Sequence, residues 1–143
     1  MTDHILIYGD KAIFNNDFKE VDVKVKRGTL KPRLHKAKLG GERVCVDGDE
    51  ALINVKCPYS KPKENLKGGT GKLQIIKLAD DQKTKNATLG GNQKPLLLKG
   101  TIFQTRFWVF TPAKNESTGG EDKTEFYYGT GYFETTNTKW TAE

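Results

Sequence analysis

Residues 44–53 read Val-Cys-Val-Asp-Gly-Asp-Glu-Ala-Leu-Ile, and the same short pattern occurs at three places in the chain. The other copies are residues 5–14, Ile-Leu-Ile-Tyr-Gly-Asp-Lys-Ala-Ile-Phe, and residues 96–103, Leu-Leu-Leu-Lys-Gly-Thr-Ile-Phe. Each copy has three apolar residues, one variable residue, a glycine and a second apolar run. A pattern that recurs within one small chain indicates repeated structural units. We therefore predict that the three copies are related by an approximate threefold axis.

The same pattern has a simpler interpretation. An apolar triplet followed by a turn glycine is common in antiparallel hairpins, and in that case the copies would be unrelated. Two further similarities favour a repeat. Copies one and two share Gly-Asp-x-Ala followed by an aliphatic residue, and Leu-Gly-Gly stands before copies two and three, at residues 39–41 and 89–91.

The repeat predicts which residues matter for the structure. We expect the glycines to turn the chain at positions where a Cβ atom would be strained or would clash. The apolar triplets are candidates for the core of the repeat or for a docking surface. The turn glycines are Gly9, Gly48 and Gly100, and the alternate triplet residues are Ile5, Ile7, Val44, Val46, Leu96 and Leu98.

Composition sets the fold class. The chain has 143 residues, of which 35% are hydrophobic, and this is enough for one core. Fifteen glycines and few helical periodicities predict an all-β domain spanning residues 1–143. Residues 21–26 alternate strictly and predict a strand, whereas 56–62, with two prolines, and the polar 79–94 predict irregular or exposed segments. Residues 114–123 predict a flexible loop.

A formal net charge of +6 raises the alternative of a nucleic-acid-binding β-barrel. Aromatic residues at 103, 107, 108 and 110 could form a stacking platform for bases. Lysines and acids are mixed along the chain, however, which is typical of a solvated surface. Phe103 and Phe107 also share one parity, whereas Trp108 and Phe110 share the other. That pattern is typical of a strand buried on both faces, or of one with an interface covering its second face.

No catalytic motif is recognisable in the sequence, so we predict that the protein is not an enzyme; a small secreted effector enzyme is the remaining alternative. The candidate metal ligands are the two histidines and two cysteines, His4, His35, Cys45 and Cys57. Zinc prefers four such groups, but no two of these have the close spacing of a zinc finger. We therefore predict no cofactor, with zinc as the alternative.

Several of these segments together resemble a known family. They are residues 9–14, 44–50, Cys57-Pro58-Tyr59, 94–100 and Thr111-Pro112-Ala113. In these stretches the chain resembles the PAAR-like spike-tip proteins of contractile injection systems, which include type VI secretion systems and phage-tail-like extracellular particles. The full Pro-Ala-Ala-Arg signature is absent, since Pro112-Ala113 is followed by Lys114, and the histidine-rich zinc site of classical members has no counterpart.

The resemblance implies a small conical β domain with pseudo-threefold repeats that caps and sharpens the trimeric β-helical spike and so aids membrane puncture. It implies one cap per trimer of a VgrG-like or phage hub-spike-like protein, effector cargo as a further partner, and transient contact with the target membrane. No nucleic acid is expected as a partner. The N-terminal residues lack the pattern of a signal peptide, so we expect synthesis in the cytoplasm, followed by assembly into an injection particle that is released or delivered outside the cell.

Overall fold

The computed structural model describes residues 3–33, 38–89 and 94–142, and most of them are in β-strands. The strands are β1 (Asp3–His4), β2 (Lys11–Phe14), β3 (Asp22–Val23), β4 (Gly28–Thr29), β5 (Lys38–Leu39), β6 (Glu42–Arg43), β7 (Val55–Lys61), β8 (Leu66–Lys77), β9 (Lys83–Leu89), β10 (Lys94–Leu97), β11 (Phe103–Thr111), β12 (Phe126–Glu134) and β13 (Thr141–Ala142). Short 3₁₀ turns span Asp49–Leu52, Pro62–Glu64 and Asp80–Gln82. The all-β prediction is confirmed.

Seven strands form one antiparallel sheet in the order β3-β7-β8-β11-β12-β2-β4, curled into a half-barrel. Alternate residues of its long central strands face the core, where Phe103, Phe107 and Phe133 are fully buried. Phe103 lies 5.8 Å from Phe14 and 4.8 Å from Phe133, measured between ring centroids. These side chains explain why the strands carry large apolar residues at every second position.

Three two-stranded ribbons lie outside this sheet. They pair β1 with β13, β5 with β6, and β9 with β10. In each ribbon one strand leads into, or includes, an apolar triplet of the sequence repeat, at residues 5–7, 44–46 or 96–98. Each copy of the repeat is therefore accompanied by one ribbon.

The segment with two prolines, predicted to be irregular, is strand β7, so that prediction was wrong. Pro58 lies opposite Thr70 of β8, and its carbonyl accepts a hydrogen bond of 3.0 Å from the backbone N–H of Lys24. The nitrogen and carbonyl of one strand residue point to the same side. The nitrogen of Pro58 therefore points towards the β3 side, where the short ladder pairs only with Tyr59 and Ser60. Because the ladder ends there, the missing donor costs little.

Other boundaries also differ from the sequence patterns. The polar stretch 79–94, predicted to be an exposed loop, contains β9, because Gln82 and Thr84 are buried beside the third triplet. The alternating stretch 21–26 forms a ladder only at Asp22–Val23, because it lies at the edge of the sheet, paired on one side to β7.

The segment 114–123 is tied down at several points. Lys114 forms bridges with Lys67 and with Glu121, and the Asn115 side chain accepts hydrogen bonds from the N–H groups of Ser117 and Thr118. Beyond this turn, the buried Asp122 accepts hydrogen bonds of 2.7 Å from the hydroxyls of Tyr59 and Tyr127. The sequence composition indicated the turn residues but gave no sign of this anchor.

Candidate functional site

The three triplets of the repeat meet in a closed ring of backbone hydrogen bonds. The N–H of Leu6 donates to the carbonyl of Leu97 (2.9 Å), that of Leu97 to Cys45 (3.0 Å), and that of Cys45 to Leu6 (3.0 Å). Each middle residue thus donates to one neighbouring segment and accepts from the other. This cyclic pattern is what a threefold arrangement of three strands requires.

A second cycle surrounds the first. The residue after each triplet donates to the residue before the next one. The bonds run from Tyr8 to Arg43 (2.8 Å), from Asp47 to Pro95 (2.8 Å) and from Lys99 to His4 (3.0 Å). The bridge partners Ile7 and Val44, Val46 and Leu96, and Leu98 and Ile5 follow the same cycle. We call residues 5–7, 44–46 and 96–98 with these bonds the threefold ring.

The ring separates two apolar layers. The middle residues Leu6, Cys45 and Leu97 are fully buried and belong to the main core of the half-barrel. The residues on either side of them form a separate cluster on the ribbon side, packed with Leu39 and Ala142; this cluster comprises Ile5, Val44, Val46, Leu96 and Leu98. Side chains that alternate between the two faces of a short strand account for this division. The sixth alternate triplet residue, Ile7, is also buried.

Each triplet is followed by a turn whose glycine has a positive φ. The angles are 89° at Gly9, 104° at Gly48 and 55° at Gly100. In the third turn a Cβ atom on Gly100 would lie 2.4 Å from Cγ of Gln82 and 2.7 Å from the carbonyl oxygen of Asp81. A Cβ on Gly9 would meet no atom within 4 Å. The first turn therefore needs glycine for its backbone angle, whereas the third needs it for space as well.

Buried carboxylates close the first two turns in the same way. Asp10 Oδ2 accepts from the N–H of Ile7, and Asp49 Oδ2 accepts from the N–H of Val46, both at 2.8 Å. Asp10 is also reached by the N–H of Thr136 at 3.1 Å, and Asp49 by the N–H of Arg33 at 3.2 Å. Both residues are the aspartate of the Gly-Asp-x-Ala shared by the first two copies, so the sequence marks their position but not their role in closing the turns.

The third turn has no aspartate of its own, and distant groups replace it. The N–H of Leu98 donates to the carbonyl of Gln82 at 2.9 Å. The N–H of Gly100 donates to Asp3 at 2.7 Å, and that of Thr101 to Asp81 at 3.0 Å. The N–H groups of the third turn are thus also paired, but their acceptors come from residues outside the repeat. The repeat pattern therefore could not identify Asp3 or Asp81.

His4, Cys45 and Cys57, the candidate zinc ligands within the described part of the chain, do not form a cluster. Cys45 lies in the threefold ring, Cys57 lies in β7, and both are buried free thiols. Burial, together with the nearby Asp49 and Asp10, raises the pKa of Cys45 far above its usual value, so the thiol stays protonated. Within residues 3–33, 38–89 and 94–142, no three His, Cys, Asp or Glu side chains cluster as a metal site would require. His35 lies outside the described residues.

The proposed stacking platform is not formed as a unit, because its four aromatic residues lie on opposite sides of β11. Phe103 and Phe107 are buried in the core, whereas Phe110 is 45% exposed and Trp108 is partly exposed on the other face.

In the part of the chain described by the structure, no helix is long and apolar enough to cross a bilayer.

The fold and the site define a small all-β protein in which three sequence repeats close into a ring at one side of a curled sheet. A model of the family described as contractile injection system spike tip protein matches residues 1–143. The chain therefore belongs to the contractile injection system spike tip family. No curated protein matches the chain in a sequence search.

Proposed function

We propose that this spike tip caps the end of a trimeric spike, with one copy per trimer, and that the threefold ring with its three ribbons is the docking end. Membership of the spike tip family implies association with a spike or needle complex. The observation that carries the finer proposal is the cyclic hydrogen bonding of the three triplets. A single chain with internal threefold symmetry can present equivalent surfaces to three identical subunits.

The ribbons supply a physical means of docking. A strand at the edge of a two-stranded ribbon has unpaired N–H and C=O groups, and such edges readily pair with another chain. Three ribbons at equivalent positions around the ring would give each spike subunit one edge. The end of a trimeric β-structure also has unpaired N–H and C=O groups, because each of its chains terminates in an unpaired edge.

The half-barrel has a different relation to symmetry. Its seven strands form one sheet with a single order and no threefold relation among the described strands. Docking through this sheet would give three identical subunits three different environments. We therefore assign the sheet to the side away from the spike, where it covers the ring. In this position the sheet would be the first part of the protein to reach a target membrane. The protein would act mechanically, without catalysis or a cofactor.

Stoichiometry is the first test. The purified chain is mixed with the trimeric spike protein encoded beside it, and the complex is analysed by size-exclusion chromatography with light scattering. We expect one 16.0 kDa cap per trimer. Three caps per trimer, or no association with any spike protein of its locus, would contradict the proposal.

The docking end is tested by hydrogen exchange of free and bound protein. We expect amide exchange to slow in all three ribbons on binding, with little change in β11 and β12. Protection of one ribbon alone would exclude threefold docking. Protection confined to the half-barrel would reverse the orientation while leaving the stoichiometry intact.

A further inference from the structure

The outer face of the half-barrel carries a cluster of aromatic and cationic side chains away from the threefold ring. We define the aromatic–cationic face as Lys72, Arg106, Trp108, Phe110, Phe126 and Tyr128. Adjacent strands place these residues in register, since Trp108 lies opposite Lys72 on one side and Phe126 on the other. Tyr128 is 59% exposed and Phe110 is 45% exposed. Exposed aromatic side chains that lie together on one sheet face are typical of an interaction surface.

The two cations are held against the rings. The Arg106 guanidinium lies 4.7 Å from the centroid of Phe126, and the Lys72 ammonium lies 5.0 Å from that of Phe110. Nε and Nη2 of Arg106 both donate to Gln74 Oε1, at 3.1 and 2.7 Å. Gln74 is in turn fixed by a 2.7 Å hydrogen bond to Asn54. The arginine is thus oriented before any partner arrives.

Among the residues that the structure describes, both cations lack an acidic partner. In the described ranges of the chain, neither Lys72 nor Arg106 forms an ion pair with a carboxylate. Lys56, which lies opposite Lys72 in the sheet, extends the same row with a third positive charge. A surface that fixes cations over aromatic rings without acidic partners is complementary to a ligand that supplies the acids.

We propose that the aromatic–cationic face binds an acidic segment of a partner protein in which carboxylates alternate with apolar side chains. The carboxylates would meet Arg106 and Lys72, and the apolar side chains would pack on Trp108 and Phe110. Aromatic residues and arginine are the side chains enriched at protein interfaces. A second copy of this chain is disfavoured as the occupant, because each copy has a net charge of +6.

Two other anionic surfaces fit the geometry less well. The aromatic rings pack edge to face within the sheet, with Trp108 and Phe110 at 4.7 Å between centroids, instead of projecting from loops as membrane-inserting side chains do. A single-stranded nucleic acid would stack its bases on open aromatic faces along a basic groove, whereas here the cations of Lys72 and Arg106 lie over the rings of Phe110 and Phe126. The proposed site lies on the half-barrel and not on the ribbons, so it does not depend on spike docking.

The test uses Trp108 as its own reporter. The chain has two tryptophans, so a Trp140→Phe background leaves Trp108 as the sole source of tryptophan emission. The probe is a 12-residue peptide that alternates glutamate and leucine, and the matched control peptide has lysine in place of glutamate. We expect a saturable change in emission with the acidic peptide alone. Arg106→Gln and Lys72→Gln should each weaken binding about fivefold or more, the scale of one charge-assisted contact.

Lys63→Gln is the matched surface control, because this exposed lysine lies in a 3₁₀ turn outside the face, and it should leave binding unchanged. Melting temperatures of all variants check that the fold is retained. The proposal is overturned if the acidic peptide gives no saturable change, or if Lys63→Gln weakens binding as much as Arg106→Gln does. It is also overturned if a 12-nucleotide single-stranded DNA or phosphatidylglycerol vesicles bind at lower concentration than the peptide.

Discussion

The threefold ring and the half-barrel are both β-structure, but they are built in opposite ways. In the half-barrel, β8 continues over twelve residues, and two of the six strand pairs, β7 with β8 and β11 with β12, join strands that are consecutive in the chain. The ring brings together triplets centred on residues 6, 45 and 97, each joined to its neighbours by isolated bridges. Local pairing favours these two hairpins during folding. The ring instead has to close two long stretches of chain, residues 8–43 and 47–95, before the backbone groups of any triplet are paired on both sides.

This difference indicates where the molecule is cooperative. In the ring every middle residue both donates and accepts, so the loss of one segment leaves groups unpaired on the other two. In the sheet, damage at an edge leaves the central ladders intact. We therefore expect substitutions in the ring to affect folding and docking together, and substitutions on the outer sheet face to affect neither.

The largest effect is expected from Gly100→Val. The new side chain would add the cost of a positive φ to an overlap with Gln82 and Asp81, for a total of about 3 to 5 kcal/mol. Gly9→Val has only the φ cost of about 1 to 3 kcal/mol, because nothing lies near its Cβ position. Urea unfolding of both variants measures the difference, and spike capping should weaken in the same order. Equal stabilities for the two variants and the wild type would show that these turns do not support the ring.

The second-largest loss of stability is expected from the carboxylates that close the turns. Asp10→Ala removes the acceptor for the buried N–H of Ile7 and should destabilise the protein by about 3 kcal/mol. Asp47→Ala is the matched control, because Asp47 is partly exposed and its ion pair with Lys83, at 3.9 Å, is long; it should cost under about 1 kcal/mol. Thermal unfolding separates the two. A loss that is as large for Asp47→Ala would mean that the turn carboxylates are not specific supports of the ring.

A smaller effect, and one that depends on pH, is expected at Asp122 in the half-barrel. Burial alone would raise its pKa, but hydrogen bonds from Tyr127, Tyr59 and Thr124, together with Lys61, lower it below the usual value. A lowered pKa stabilises the fold above the ordinary carboxyl pKa of about 3.9, and this contribution is lost as the pH falls further. Asp122→Asn should therefore cost about 2 kcal/mol at pH 7 and progressively less below about pH 4.

The measurement for Asp122 is the melting temperature of wild type and variant from pH 7 to pH 2. Tyr127→Phe is the matched control, because it removes one of the two hydroxyl donors and leaves the carboxylate in place. Its loss should be smaller than that of Asp122→Asn. A gap between wild type and Asp122→Asn that stays constant over the whole range would rule out the ionised carboxylate as the source of the stability.

The smallest effect is expected for Lys72→Gln on the outer face. Its cation–π contact with Phe110 is solvent-accessible, so unfolding free energy should change by less than about 1 kcal/mol. Spike capping should be unchanged, since this face lies away from the ribbons. A loss of capping in this variant would contradict the separation of the two regions and would place the spike on the half-barrel.

The sequence predicted much of this fold because its patterns are periodic and local. The parity of the aromatic residues placed Phe103 and Phe107 on one face of β11 and Trp108 and Phe110 on the other. The repeated triplet with its glycine predicted that residues 5–7, 44–46 and 96–98 are equivalent. Strand β7 and the polar strand β9 were missed. Their pairing depends on where neighbouring strands end and on which polar side chains are buried, and neither is encoded within the segments themselves.

The sequence by itself determined the class of the protein and the threefold plan, because repetition of residues along a chain does not depend on how the chain folds. Only the tertiary structure decided which hydrogen bonds join the three copies. It showed that the middle residues Leu6, Cys45 and Leu97 close the ring, and that Asp3 and Asp81 support a turn whose own sequence lacks an aspartate. These contacts join residues far apart in the chain. Their formation depends on the geometry of the whole domain, and no local propensity records it.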